Sequence, residues 1–326
     1  MPARCFSLSS LLLLAVVPAC AGQSLLFLEA QAVGGYSSAA KEPVWHSMSA
    51  AGPMQKTSAG FDWLDKIAGE GGDTGTLALQ ARLAADPDAR NRVEPQIYNA
   101  YYRRKFPSFY AWAGHDRPAA GLESYFDTHG ALLQALPMYG YGYDRDWGCG
   151  LSRDLENGDA ALSLTTGSGM RLRGAGGWLA PARVSRGVLA RDNYTVGLYA
   201  SRGRVPETDG YTLLDGAAKA YSADGADGAL LWDRWELRGD VRAGRKSGAR
   251  YLAGLARLGL NLLDENRLKL ETQAVYSGLP KMEGWVLAAG ASYSLSAELT
   301  CRAMFESDAV MHDRRIVGQL YYYLPI

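Results

Sequence analysis

Long apolar runs are missing from this chain once its first two dozen residues are passed. That absence excludes a helical membrane protein, because a helix needs about 20 consecutive apolar residues to cross a bilayer. Charge of one sign is missing as well: Lys plus Arg number 34, Asp plus Glu number 34, and charged residues are only 21% of the chain. Nucleic acid and other strongly charged partners are therefore not implied. Cysteine is scarce. Of the four, Cys5 and Cys20 lie near the N-terminus, which leaves Cys149 and Cys301, each among apolar neighbours of its own strand face and read as small apolar fillers. The spacing supplies no disulfide framework and no zinc or other metal pattern, and no cofactor is implied.

The N-terminus carries Arg4, the apolar run Leu11 to Val17, and Ala19-Cys20-Ala21. This is the form of a secretory signal peptide spanning residues 1–21, with 22–326 as the mature chain. Val17-Pro18-Ala19-Cys20 also resembles a lipoprotein box that would make Cys20 an acylated residue, although Pro18 fits that pattern poorly.

What the chain does have is glycine (38), tyrosine (19) and a hydrophobic period of two. Segment 235–244 splits into Trp235, Leu237, Gly239, Val241, Ala243 against Glu236, Arg238, Asp240, Arg242. Segments 76–84, 267–278 and 296–306 split the same way, as does the ending RRIVGQLYYYLPI, residues 314–326. These runs are about ten residues long, the length a tilted strand needs to cross a bilayer rather than the 5 or 6 typical of a soluble sandwich. The remaining boundaries, 24–36, 57–67, 92–106, 108–116, 143–155, 159–167, 176–191, 193–204, 220–233, 249–263 and 284–294, complete a set of sixteen.

The connections sort by side. Pro107, Glu156 to Gly158, Asp192, Arg234 and Leu295 are short and fall at one end, whereas Ser37 to Lys56, Arg117 to Gly142 and Val205 to Lys219 are long and fall at the other. Trp178, Trp232, Trp235 and Trp285 stand at strand ends, as in interfacial girdles. The fold class expected is all-β: a transmembrane antiparallel β-barrel of the bacterial outer membrane, with about sixteen strands in a range of roughly 14 to 18. An open edge in lipid would leave backbone groups unsatisfied, so the last strand must pair with the first.

The inward positions predict a wall of mixed charge lining a water-filled lumen: Arg82, Glu236, Arg238, Asp240, Arg242, Arg257, Lys269, Glu271, Glu298 and Arg302. Opposite charges on neighbouring strands can equally pair across that wall. The longest external loop, 117–142, mixes charge with apolar residues ill-suited to free solvent. It is expected to fold into the barrel and form a constriction, with His115, Arg117, Glu123, Asp127, His129 and Asp146 as the candidate charges. The plainer alternative is a loop packed over the mouth.

Gly114-His115-Asp116-Arg117-Pro118-Ala119-Ala120-Gly121-Leu122-Glu123, then Tyr143-Asp144-Arg145-Asp146-Trp147-Gly148, then LSLTTGSG (162–169), resembles the core of the phosphate-selective porin O/P type family. The resemblance covers about residues 100–170. It implies a porin fold and passive diffusion of small hydrophilic solutes or ions through the outer membrane, with outer-membrane lipid around the barrel and a homotrimer as the common assembly. His115 stands where the family favours arginine, the family's Phe is replaced by Ala, and a lysine-rich inner ladder is lacking, so phosphate specificity does not carry over. Two other classes are a barrel sheath or scaffold around a partner protein and an outer-membrane lipid hydrolase; the second needs a Ser and a His within hydrogen-bond reach. No enzyme is expected.

Overall fold

The computed structural model describes residues 23–47, 55–69, 72–85, 93–174, 176–209, 212–280 and 282–326. The leader expected over 1–21, with Cys20, lies outside the described residues. In chain order the strands are β1 (Gln23–Ser37), β2 (Glu42–Val44), β3 (Ser58–Gly69), β4 (Gly72–Ala85), β5 (Val93–Lys105), β6 (Tyr110–Asp116), β7 (Asp146–Leu155), β8 (Gly158–Thr165) and β9 (Trp178–Arg186). They continue with β10 (Tyr194–Asp209), β11 (Thr212–Trp232), β12 (Trp235–Lys246), β13 (Ala249–Leu262), β14 (Leu268–Leu279), β15 (Met282–Ser294), β16 (Leu299–Asp308) and β17 (Asp313–Pro325). Each pairs antiparallel with its neighbours, and β17 returns to β1 in a register running from Phe27↔Pro325 to Ser37↔Arg315. The short β2 folds back on β1 outside the ring, so sixteen strands close the barrel.

Side-chain parity explains the closure. On β17, Ile316 (64% exposed) and Leu320 (49%) face outward, while Val317 (0%) and Gln319 (2%) face inward. Trp232 and Trp235 are exposed and pair across the Asp233-Arg234 turn, where Asp233 adopts φ 53°. Trp178 and Trp285 are exposed at the opposite rim. Cys149 and Cys301 are free thiols on the outward face.

Three local expectations change. The segment 205–219, expected as an external loop, is mostly strand: β10 and β11 pair as far as Asp209↔Thr212. Pro206, which cannot donate to a ladder, sits at a register shift between Val205 and Glu207 and masks the alternation in the sequence. The inner connection at Asp192 is a one-turn helix, α1 (Leu189–Asp192), closed by Asn193 in the left-handed region. Glu298, expected on the inner wall, lies in the inner turn before Leu299 and takes a hydrogen bond from Ser296 Oγ, which in turn accepts from the Glu298 and Leu299 amides; this serine turn, not strand alternation, governs it.

The wall is uneven. β6, β7, β8 and β9 have 7, 10, 8 and 9 residues, whereas the adjoining β10 and β11 have 16 and 21.

Candidate functional site

The connection from β6 to β7 turns into the barrel. Two single-turn 3-10 helices, Leu122–Ser124 and Leu136–Tyr139, punctuate it. Its apolar side chains find a seat on the inner wall: Leu122, Leu136 and Tyr141 pack with Tyr251, Leu255 and Val275, while Leu132 and Leu133 pack with Val33, Met304 and Val317. Burial of this kind stabilises at roughly 25 cal/mol per Å² of apolar surface. It accounts for the apolar residues at inward positions that an aqueous lumen alone would not favour.

Ionic anchors fix the loop's path. Arg242 on β12 grips Glu123 with Nη1 to Oε1 at 3.1 Å and Nη2 to Oε2 at 3.0 Å, and donates to the Tyr141 carbonyl at 2.8 Å. Asp240 accepts from the Leu122 amide at 3.1 Å and from Tyr199 Oη at 2.7 Å. Gly121 adopts φ +63°, and a Cβ there would stand 2.4 Å from Arg242 Nη2, so the approach requires glycine. Farther along, His129 Nε2 lies 2.6 Å from Glu29 on β1, which also faces Arg82 at 3.5 Å. Three more wall cations bind loop carbonyls: Lys246 that of Gly140, Arg257 those of Leu133 and Gln134, and Arg302 that of Gly130.

The six candidate constriction residues therefore divide. Arg117 and Asp127 form a 3.2 Å pair, and Asp127, with its side chain 58% exposed, presents charge to the lumen. Burial pushes the Asp127 carboxyl up, but Arg117 and Arg145 outweigh it and hold the group below the usual aspartate range. Glu123 and His129 are buried anchors. Asp146 is buried and accepts from the amides of Trp147, Gly167, Ser168 and Gly169, holding the turn after β8 rather than lining a pore. His115 is buried against Trp147, ring centroids 4.8 Å apart.

On the wall, Glu236 bridges Arg238 and Lys269, and Lys269 also reaches Glu271 at 3.2 Å. Arg145, quoted in the Tyr143 to Gly148 motif but given no role from sequence, is fully buried. It donates to Asp144 and Asn99 and stacks 4.3 Å over the Tyr98 ring. Two recesses open on the inner side of the loop. One of about 670 Å³ is lined by the neutralised pairs Arg103–Asp116 and Arg183–Asp159. The other, about 350 Å³, lies against β13 to β16 and the inner turn at Asn266 and Arg267. Among the described residues, no cluster of His, Cys, Asp and Glu suits a metal ion.

The closed sixteen-stranded antiparallel barrel is a fold shared with bacterial outer-membrane porins. OmpT of Vibrio cholerae, folded in vitro and in its trimer form, superposes with a TM-score of 0.61 at 12% identity, covering 93% of this chain and 100% of that one. Salmonella typhi OmpF, solved in complex with daunomycin, gives 0.60 at 13%, covering 92% and 97%. Pseudomonas putida OprB at high pH gives 0.57 at 10%, covering 94% of each chain. No protein-family model and no curated protein sequence matches the chain. The kinship with phosphate-selective porins suggested by residues 100–170 thus rests on those motifs alone.

Proposed function

We propose that this chain is a passive diffusion channel for small hydrophilic solutes or ions in the bacterial outer membrane, reached after export through the N-terminal leader. The observation that carries the reading is the loop of residues 117–145, which is anchored across the lumen and leaves Arg117 and Asp127 to narrow and charge the passage. The catalytic reading is weaker. His129 is committed to Glu29 and His115 is packed against Trp147, so neither offers a serine partner on the outer wall. Deleting Ser124 to Ala135 should raise single-channel conductance in a planar bilayer; an unchanged conductance would refute the constriction.

Copies of the chain are proposed to associate through β6 to β9. A strand of 7 or 8 residues at about 3.3 Å per residue, tilted about 40°, rises only about 20 Å, short of the roughly 25 Å apolar band. A second copy would cover this low wall, whose outward face carries Leu151, Leu162 and Val184 around small alanines, with Leu198 of the adjoining β10 beside them. The trimer form of the structurally similar OmpT is consistent with such an assembly. Leu162→Arg should shift the detergent-solubilised protein toward monomer in analytical ultracentrifugation.

A further inference from the structure

We infer that the 350 Å³ recess beneath the loop is a binding site for a small anion carrying two or more charged oxygen groups, carboxylate or phosphate, reached from the inner side of the membrane. The inference rests on the channel reading above and names the solute class the channel would retain. Five cations line the recess, Arg238, Arg257, Arg267, Lys269 and Arg302, against two carboxylates, Asp127 and Glu271. Their pairing leaves a surplus of positive charge. Lys269 and Arg238 are neutralised by Glu236 and Glu271, and Asp127 is drawn to Arg117 and Arg145.

Arg257 and Arg302 have no carboxylate at ion-pair distance among the described residues. Arg257 bonds the Leu133 and Gln134 carbonyls and Gln273 Oε1; Arg302 bonds the Gly130 carbonyl and Gln319 Oε1. Among the described residues the Arg267 side chain, in the inner turn, hydrogen-bonds the Ser294 carbonyl and Tyr293 Oη and lies over the Tyr293 ring, with no carboxylate at ion-pair distance. Carbonyl and amide dipoles orient these guanidinium groups without cancelling their charge. The low-dielectric wall then focuses the residual field into the recess. The opposite recess lacks this property, because Arg103 and Arg183 each face an aspartate. The chamber is thus lopsided, and an oxyanion would enter the β13–β16 side.

The test is block of KCl conductance in planar bilayers by citrate, and separately by inorganic phosphate, added to one side at a time. Citrate on the inner side should reduce the current, and Arg257→Gln with Arg302→Gln should weaken the block by about tenfold or more. Phosphate block of equal strength would assign the site to oxyanions generally, whereas citrate block alone would assign it to polycarboxylates; both support the site. Because Arg257 and Arg302 also hold the loop, Arg267→Gln serves as a variant without a loop contact and should weaken block. Glu271→Gln, which removes a negative charge, should strengthen it. Equal block in all forms, or block unaffected by side, would overturn the inference. A protein that never conducts would refute the channel reading instead. Calorimetric titration of the folded protein with citrate would then decide the site alone: heat lost in Arg267→Gln supports it, and no heat in wild type refutes it.

Discussion

Glu123 and Arg242 meet through two parallel hydrogen bonds although they lie 119 positions apart in the chain. Both side chains are about 1% exposed, and Asp240 shares the guanidinium. Arg242→Met would leave two carboxylates facing each other without a cation, a loss of about 3–5 kcal/mol for a broken buried pair. The variant should unfold at lower urea in lipid vesicles, and its loop should become cleavable by added protease. A loop as resistant as wild type would show that the apolar seat alone holds it.

Asp146→Ala removes the acceptor for four backbone amides around residues 147 and 167–169. Hydrogen bonds to a charged group are worth more than neutral ones, and the freed amides are buried, so a cost of roughly 2–4 kcal/mol is expected. Amide hydrogen exchange should quicken at Gly167, Ser168 and Gly169 while β13 to β15 keep their protection.

The two faces of the wall should respond oppositely to the same charge. Leu320→Arg, near the middle of β17 on the lipid side, should cost about 2–4 kcal/mol in vesicle-based urea titration. Glu271→Arg, inside beside Lys269, should cost within ~1 kcal/mol and instead move the reversal potential toward anion preference.

Asp127 stays ionised further into acid than an ordinary aspartate, since its two arginines outweigh the effect of burial. A depressed carboxyl contributes its pairing above its unfolded pKa, near 3.9, and loses it only as pH falls through the lower folded value. The difference in reversal potential between wild type and Asp127→Asn should therefore persist at about pH 4 and fade only below it. A difference already half lost at about pH 4 would place the carboxyl in the normal range, and one gone at about pH 5 would place it above that range.

The barrel was legible because alternation needs no knowledge of partners: Trp235 to Gly244 announces two faces from its own residues. The inward path of segment 117–142 was legible from its apolar content, but its seat was not. Tyr251, Leu255 and Val275 sit at inward positions that read as ordinary strand residues until the loop is placed against them. Glu29 and His129, a hundred positions apart, carry no mutual mark in one sequence. His115, Glu123 and Asp146 were recognisable as unusual, yet whether a polar residue near a mouth faces water or a buried partner depends on chain segments far away. The β10–β11 extension was hidden by Pro206, which ends alternation locally without ending the ladder.

The seam between β1 and β17 also sets an order of events. Gln319 donates to Gln31 at a separation of 288 positions, so the final pairing brings together the most distant parts of the polymer. Contacts of such separation form late, after the entropy of closing the ring has been overcome. Until then the growing sheet carries two unsatisfied edges, each able to recruit a foreign strand. Completion of the cylinder thus acts as a checkpoint, and a chain clipped by its last few residues would remain open and prone to aggregate.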